Sequence, residues 1–260
     1  TLLWWAYERR CLQRAAALQA LCPPEAQALR ALGLTAPLAL IPNGVSLPDR
    51  SGEALNALPP SCWAESMPAG EPVLLFLGRF HHKKGLQPLL QAWHAVAAEA
   101  ARAGWWLALV GYGDGGQLEQ QLRASPVPRA VACGPVFGAA KQAVLATTSA
   151  FVLPSHSEGL PMAALEAMAH QLPCLLSRAC NLPEAFRAGA ALPAEPDPAA
   201  LAASLRQLFA LSPSDRAAMG AAGHDLVQER FSWPVVAEQT LELYRWILGG
   251  GERPGFVELG

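Results

Sequence analysis

The chain has 260 residues, of which 52% are hydrophobic and 15% charged, enough for a substantial core and too apolar for a disordered chain. Its formal net charge of −2 gives no basic footprint for nucleic acid. No apolar run reaches the roughly 18 residues of a membrane span, and the 6 cysteines form no C-x-x-C pair and read as buried, reduced thiols of a cytoplasmic protein.

The first residue is Thr1, so the chain is expected to be a fragment. Residues 1–20 mix Trp4, Trp5, Tyr7, Arg9, Arg10 and Arg14 with Leu and Ala. That pattern predicts an amphipathic helix docked on a further domain, in preference to one lying on a membrane surface. A short strand follows over 17–22, and Pro23-Pro24-Glu25 opens a helix to about Leu32, with proline and an acid where a helix start favours them. Residues 38–45 read as a strand ending in an Asn43-Gly44 turn. Residues 46–72 are rich in Pro, Ser, Gly and Ala without periodicity and are read as a linker.

A repeating strand–helix pattern then begins. Apolar runs predict strands at 73–77, 106–110, 130–133, 150–153 and 173–177, and a shorter one near 190–192. Helices are expected between them at 86–102, 115–123, 141–147 and 161–170, and after them at 198–211, 213–229 and 233–248. Continuous apolar strands alternating with helices mean a parallel sheet covered on both faces, an α/β Rossmann-like domain. The Gly-rich tail 249–260 is expected to be mobile.

Two stretches carry candidate chemistry. After the first strand of this pattern comes Gly78-Arg79-Phe80-His81-His82-Lys83-Lys84-Gly85. Arg79 and Lys84 can meet a diphosphate from two sides, the arginine as a planar fork and the lysine as a point charge, unless the loop is simply solvated. The second is Pro154 to Glu166, a strand–turn–helix with Ser155, Ser157, Glu158 and Gly159 in the turn. Ser and Glu there can cap the helix, and its free N–H groups with the helix dipole favour an anion. Glu158 and Glu166 are too far apart to share a proton. They suit two acceptors gripping hydroxyls at opposite ends of one ligand, or else a cap and a solvated helix position. Adjacent His81 and His82 lack any metal-binding partner motif, and the neighbouring cations would repel a metal. The turn Gly111-Tyr112-Gly113-Asp114-Gly115-Gly116 is, as a dinucleotide fingerprint, weak.

The spacing E-G-L-P followed by L-E-A-M-A resembles the E-x7-E signature of the family-4 type retaining nucleotide-sugar glycosyltransferases, whose GT-B fold sets two Rossmann-like domains face to face. The loop G-R-x-x-x-x-K-G and the segment I-P-N-G-V are similar to that family as well. The resemblance implies that residues 1–45 are the end of an N-terminal acceptor domain, 46–72 a linker, 73–232 the donor-binding domain, and 233–260 a crossover helix and tail. It implies that Arg79 and Lys84 neutralise a diphosphate, that Glu158 lies by the donor sugar and that Glu166 binds the ribose. Gly78, Gly159, Leu160, Pro161 and Met162 would face sugar and diphosphate, and the turn at Val136 would meet the base through its backbone.

Further implications of the resemblance are a nucleotide-sugar donor, a glycan or lipid-linked acceptor in cell-surface polysaccharide or lipopolysaccharide synthesis, and no metal or other cofactor. They extend to a cytoplasmic site, peripheral to the inner membrane face through a missing domain. A non-catalytic nucleotide-sugar-binding domain, or another GT-B enzyme such as a sugar-nucleotide epimerase, is the alternative. Two departures stand out: Ser46 replaces a customary Asp, and Gln171 replaces the glycine that would end the central helix in a left-handed conformation, at a cost of about 1 kcal/mol. In Asn181-Leu182-Pro183-Glu184, also similar to the family, Glu184 is read as a helix-start acid.

Overall fold

In the computed structural model of the chain, which describes residues 7–48, 67–113 and 115–260, the apolar runs pair into two separate sheets. The chain divides into two compact units, Thr1–Val45 with Glu229–Gly260, and Ser46–Gln228. Trp4, Trp5 and residues 49–66 of the expected linker lie outside the described residues.

Among the described residues the first unit opens with α1 (Arg9–Arg14), which has no buried residue and ends at Ala15, short of the expected residue 20. Its Leu12 packs against the cluster of Leu18, Leu34 and Ala36. Strand β1 (Leu18–Ala20) runs parallel to β2 (Leu38–Leu40), with α2 (Pro23–Ala31) between them in sequence. The Arg30 guanidinium donates to the carbonyls of Leu34 and Ala36 at 3.0 and 2.8 Å, which secures the turn after α2. Gly44 is there because a side chain would not fit: a Cβ would stand 2.5 Å from the Trp233 ring.

The second unit carries a six-stranded parallel sheet in the order β5-β4-β3-β6-β7-β8. In chain order it runs β3 (Val73–Arg79), α3 (Leu86–Ala95), α4 (Ala97–Arg102), β4 (Trp106–Tyr112), α5 (Gln117–Ala124), β5 (Ala130–Cys133) and α6 (Gly138–Ala146). It continues with β6 (Ala150–Leu153), α7 (Met162–Ala169), β7 (Cys174–Leu176), α8 (Pro183–Arg187), β8 (Ala191–Pro193), α9 (Pro198–Ala210) and α10 (Pro213–Arg230). Successive strand residues point to opposite faces, yet every residue of β6 and β7 is buried. The sheet is therefore covered on both sides, as the apolar runs predict.

The single helix expected over 86–102 is two. Val96, β-branched and fully buried, leaves the helical conformation with φ −107° and ψ 14°. Phe209 of α9 packs edge-on to Trp93 of α3 and beside Trp105, with ring centroids 5.9 and 5.8 Å apart. Cys22, Cys174 and Cys180 are free and buried, as read from the sequence, whereas Cys11 is free but exposed. Cys133 is disulfide-bonded and corrects that reading.

Helix α11 (Trp233–Ile247) and strand β9 (Val257–Glu258) belong to the first unit. The Gly-rich tail is thus not featureless. Strand β9 pairs antiparallel with β2, because Val257 has a place in the apolar cluster of Ala39, Ile41, Val236 and Leu243.

Candidate functional site

Parallel pairing of β3 with β4 and β6 sends the loops that follow them to the same edge of the sheet. Gly78 and Arg79 are the last residues of β3, where they pair with Gly111 and Tyr112. Arg79 is exposed. The loop then makes a 3-10 turn, His82–Lys84, that closes on Gly85 in the left-handed region at φ 69°. A Cβ on Gly85 would lie 1.9 Å from the Pro154 carbonyl oxygen, so this glycine permits the β3 loop to lie against the β6 loop. The His156 N–H donates to the Lys83 carbonyl at 2.7 Å and ties the two loops a second time.

At this junction the Lys84 Nζ donates to Glu158 Oε1 at 2.6 Å, between side chains 21% and 11% exposed. Fully buried Ser155 donates its hydroxyl to the same oxygen at 2.6 Å. Neither Ser155 nor Glu158 caps α7, as the spacing had allowed: the N-cap is Pro161, without a side-chain hydrogen bond. The Met162 and Ala163 N–H groups therefore have no side-chain cap, while that of Ala164 donates to the Pro161 carbonyl at 3.0 Å, and a helix start of this kind favours an anion. Leu160 and Pro161 are buried, so they offer the site backbone rather than side chain, while Gly159 is exposed and Met162 half-buried.

The Glu158 loop is held from behind by the segment after β7, of which the sequence had singled out only Asn181-Leu182-Pro183-Glu184, without assigning it this role. Ser177 donates its hydroxyl to the Ser155 carbonyl at 2.6 Å. Asn181, left-handed at φ 57°, donates its side-chain amide to the carbonyls of Glu158 and Gly159 at 2.7 and 3.1 Å. The Glu158 N–H donates to the Ala179 carbonyl at 3.1 Å. Cys180, close by, has its thiol pushed up to about 11, chiefly by burial, and is no nucleophile at neutral pH.

Glu166, on α7, is neither solvated nor alone. Lys141 of α6 donates to its Oε1 at 2.6 Å, the two side chains being 28% and 20% exposed. Lys141 is the functional candidate that sequence reasoning missed. Val136 is half-buried in the turn between β5 and α6, beside Phe137, whose exposed ring stands 6.2 Å from that of Tyr112. Glu184 lies in the first turn of α8, as expected of a helix-start acid.

The His81 imidazole is held below its ordinary pKa by desolvation and by the positive charges of His82, Arg79, Lys83 and Lys84. Among the described residues no group of three His, Cys, Asp or Glu side chains could hold a metal ion, and no helix is long and apolar enough to cross a membrane. A cavity of about 410 Å³ adjoins the β3 loop, between His81, His82, Gln87, Gln121 and His156.

A parallel sheet of this order, with cations and carboxylates on the loops of its central strands, defines a Rossmann-like class of domain. Solved glycosyltransferase structures share the architecture. Sucrose-phosphate synthase from Thermosynechococcus elongatus superposes with a TM-score of 0.75 at 25% identity, covering 94% of this chain and 61% of that one. Anabaena Alr3699/HepE, solved in complex with UDP and glucose, gives 0.75 at 19% identity, covering 91% and 65%. Residues 71–210 match the family described as glycosyl transferases group 1, and the chain belongs to that family.

Among curated relatives, alpha-maltose-1-phosphate synthase of Mycolicibacterium smegmatis is 27% identical over 226 residues, 76% of this chain and 57% of that protein. A GDP-mannose-dependent alpha-mannosyltransferase of the same organism is 30% identical over 185 residues, 70% and 45% respectively. The chain spans about half the length of the curated relatives it matches.

Proposed function

We propose that the second unit binds the donor of a retaining glycosyltransferase, a sugar carried on a nucleoside diphosphate, for transfer to a glycan or lipid-linked acceptor in cell-surface polysaccharide synthesis. The observation that carries the reading is the meeting of Lys84 with Glu158, 74 residues apart in the chain, beside the uncapped start of α7. Arg79, Lys84 and the N–H groups at that helix start would receive the two phosphates. As the anomeric carbon parts from the diphosphate, charge develops on the departing oxygens, and fixed donors in a partly desolvated site stabilise it without a metal ion. Glu158, held by Lys84 and Ser155, would orient hydroxyls of the donor sugar. Glu166 would accept from the ribose, and the backbone around Val136 would meet the base. The relatives named above include enzymes whose names specify a GDP-mannose donor and a maltose 1-phosphate product, which supports sugar transfer from an activated donor as the class of reaction.

Calorimetric titration of the chain with UDP, GDP and ADP, with and without EDTA, tests this reading. One of the three should bind, and EDTA should not alter its affinity. Arg79→Ala should weaken the diphosphate by about 10- to 100-fold, the worth of a charge-assisted hydrogen bond, and leave the matching nucleoside nearly unaffected. Equal losses for both ligands would overturn the diphosphate assignment.

A further inference from the structure

Lys141 has no part in the reading above, yet it makes a 2.6 Å bond to Glu166. The same two helices are joined again one residue and one turn further on, where His170 Nε2 lies 2.8 Å from Gln142 Oε1. Residues 166 and 170 share a face of α7, so α6 and α7 are cross-braced by two neighbouring side-chain contacts. Helix α6 starts at the turn containing Val136, and the Lys141 N–H donates to the Phe137 carbonyl at 3.4 Å. Lys141 therefore stands one helical turn from that turn and reaches the carboxylate on the neighbouring helix. Its bond engages Oε1 alone, which leaves Oε2 for a ligand hydroxyl.

We propose that Lys141 is a positioning residue: by fixing the Glu166 carboxylate against α6, it makes the domain select nucleotides that carry ribose hydroxyls. The proposal rests on the reading of Glu166 as the ribose acceptor. The physical reason is that a glutamate with free side-chain torsions must be ordered when a diol binds, whereas one already held in place has lost that freedom beforehand. An ion pair that merely stapled two helices would influence stability and affect all ligands alike. A positioning residue influences the preference for one sugar over another.

The test is the ratio of affinities for UDP, GDP and ADP over their 2′,3′-dideoxy counterparts, measured with the whole chain. The unaltered protein should prefer the ribonucleotide by about 10-fold or more, the loss expected when a buried hydrogen bond to a charged group is left unmade. Glu166→Gln should remove most of that preference. Lys141→Met should do the same while keeping dideoxynucleotide affinity, and Lys141→Arg should restore it. Gln142→Ala, which breaks the second contact without touching Glu166, should leave the preference intact.

Full preference in Lys141→Met together with its loss in Glu166→Gln would overturn the positioning role and leave the ribose reading standing. Unchanged preference in Glu166→Gln would overturn the ribose reading and the proposal with it, as would absence of binding by all three nucleotides. Equal losses for ribo- and dideoxynucleotides in Lys141→Met, unrescued by arginine, would reduce Lys141 to a structural brace.

Discussion

Gly85 is where the two loops of the candidate site touch, and replacing it with alanine should separate them. Two costs add. The residue sits at φ 69°, a conformation that costs an L-residue about 1–2 kcal/mol. The new Cβ would also stand 1.9 Å from the Pro154 carbonyl oxygen and 2.9 Å from its carbon, and forcing packed groups apart costs about 1–3 kcal/mol. The expected destabilisation is therefore about 2–5 kcal/mol, or a fall of about 1–2 M in the urea midpoint for a domain of this size.

Gly189→Ala supplies the control. Gly189 has φ 72°, and nothing lies within 4 Å of a Cβ there, so only the conformational cost of about 1–2 kcal/mol should appear. Urea titration followed by tryptophan fluorescence, to which buried Trp93 and Trp105 contribute, measures both variants. Equal destabilisation by the two substitutions would refute the contact between Gly85 and Pro154. The close approach of Lys84 to Glu158 would then lose its explanation.

Two further outcomes follow from α7. The His170 pKa is lowered from 6.5 to about 4, first by burial and then by the charge of Lys141. The folded state thus disfavours the protonated ring: its contribution to stability is complete above pH 6.5, is lost as pH falls towards 4, and levels off below that. Discounted for the solvent screening of a half-buried group, the loss is about 1–2 kcal/mol, and urea midpoints measured between pH 7 and 4 should show a shallower pH dependence in His170→Gln. Gln171, at φ 60°, ends α7 where glycine would fit without strain, so Gln171→Gly should raise stability by about 1 kcal/mol in the same assay; a drop would mean that the side chain compensates its backbone.

What could be read from the sequence was what the chain encodes locally. The strand at 150–153 falls where its apolar run does, because a strand buried on both faces tolerates little else, and the edge strand at 130–133 also keeps the bounds of its apolar run though three of its residues are only half-buried. Strand β3 outlasts its apolar run by two residues, since Gly78 and Arg79 continue to pair with Gly111 and Tyr112, and backbone pairing needs no apolar side chain. The left-handed Gln171 was legible only through the family resemblance, in which glycine ends this helix. Of the candidate site, Arg79, Lys84, Glu158 and Glu166 stood out by type and spacing. Their partners did not. Ser177 reaches Ser155 across 22 residues, Asn181 reaches Glu158 across 23, and Lys141 reaches Glu166 across 25, and no pattern within one element announces a contact made between elements. Helix α8 was announced only by Glu184 as a helix-start acid, because its 5 residues are too few for a period.

The order of the strands explains why those contacts fall where they do. From β3 the chain adds β4 and β5 on one side, then returns to place β6 on the other and continues outward to β7 and β8. At the reversal, the loops leaving β3 and β6 are neighbours whose following helices depart in opposite directions, which opens a crevice at the carboxyl edge of the sheet. The reversal alone would leave the crevice lined by whatever the two loops carry. Here the β3 loop brings Arg79 and Lys84, the β6 loop brings Glu158 and a helix start, and Gly85 lets the two close to 2.6 Å between lysine and carboxylate. The charges are already paired, Lys84 with Glu158 between the two loops and Lys141 of α6 with Glu166 of α7. A ligand with phosphates between two polyhydroxylated ends can exploit such pairs without parting them, because each carboxylate is held through one oxygen and keeps the other for a hydroxyl.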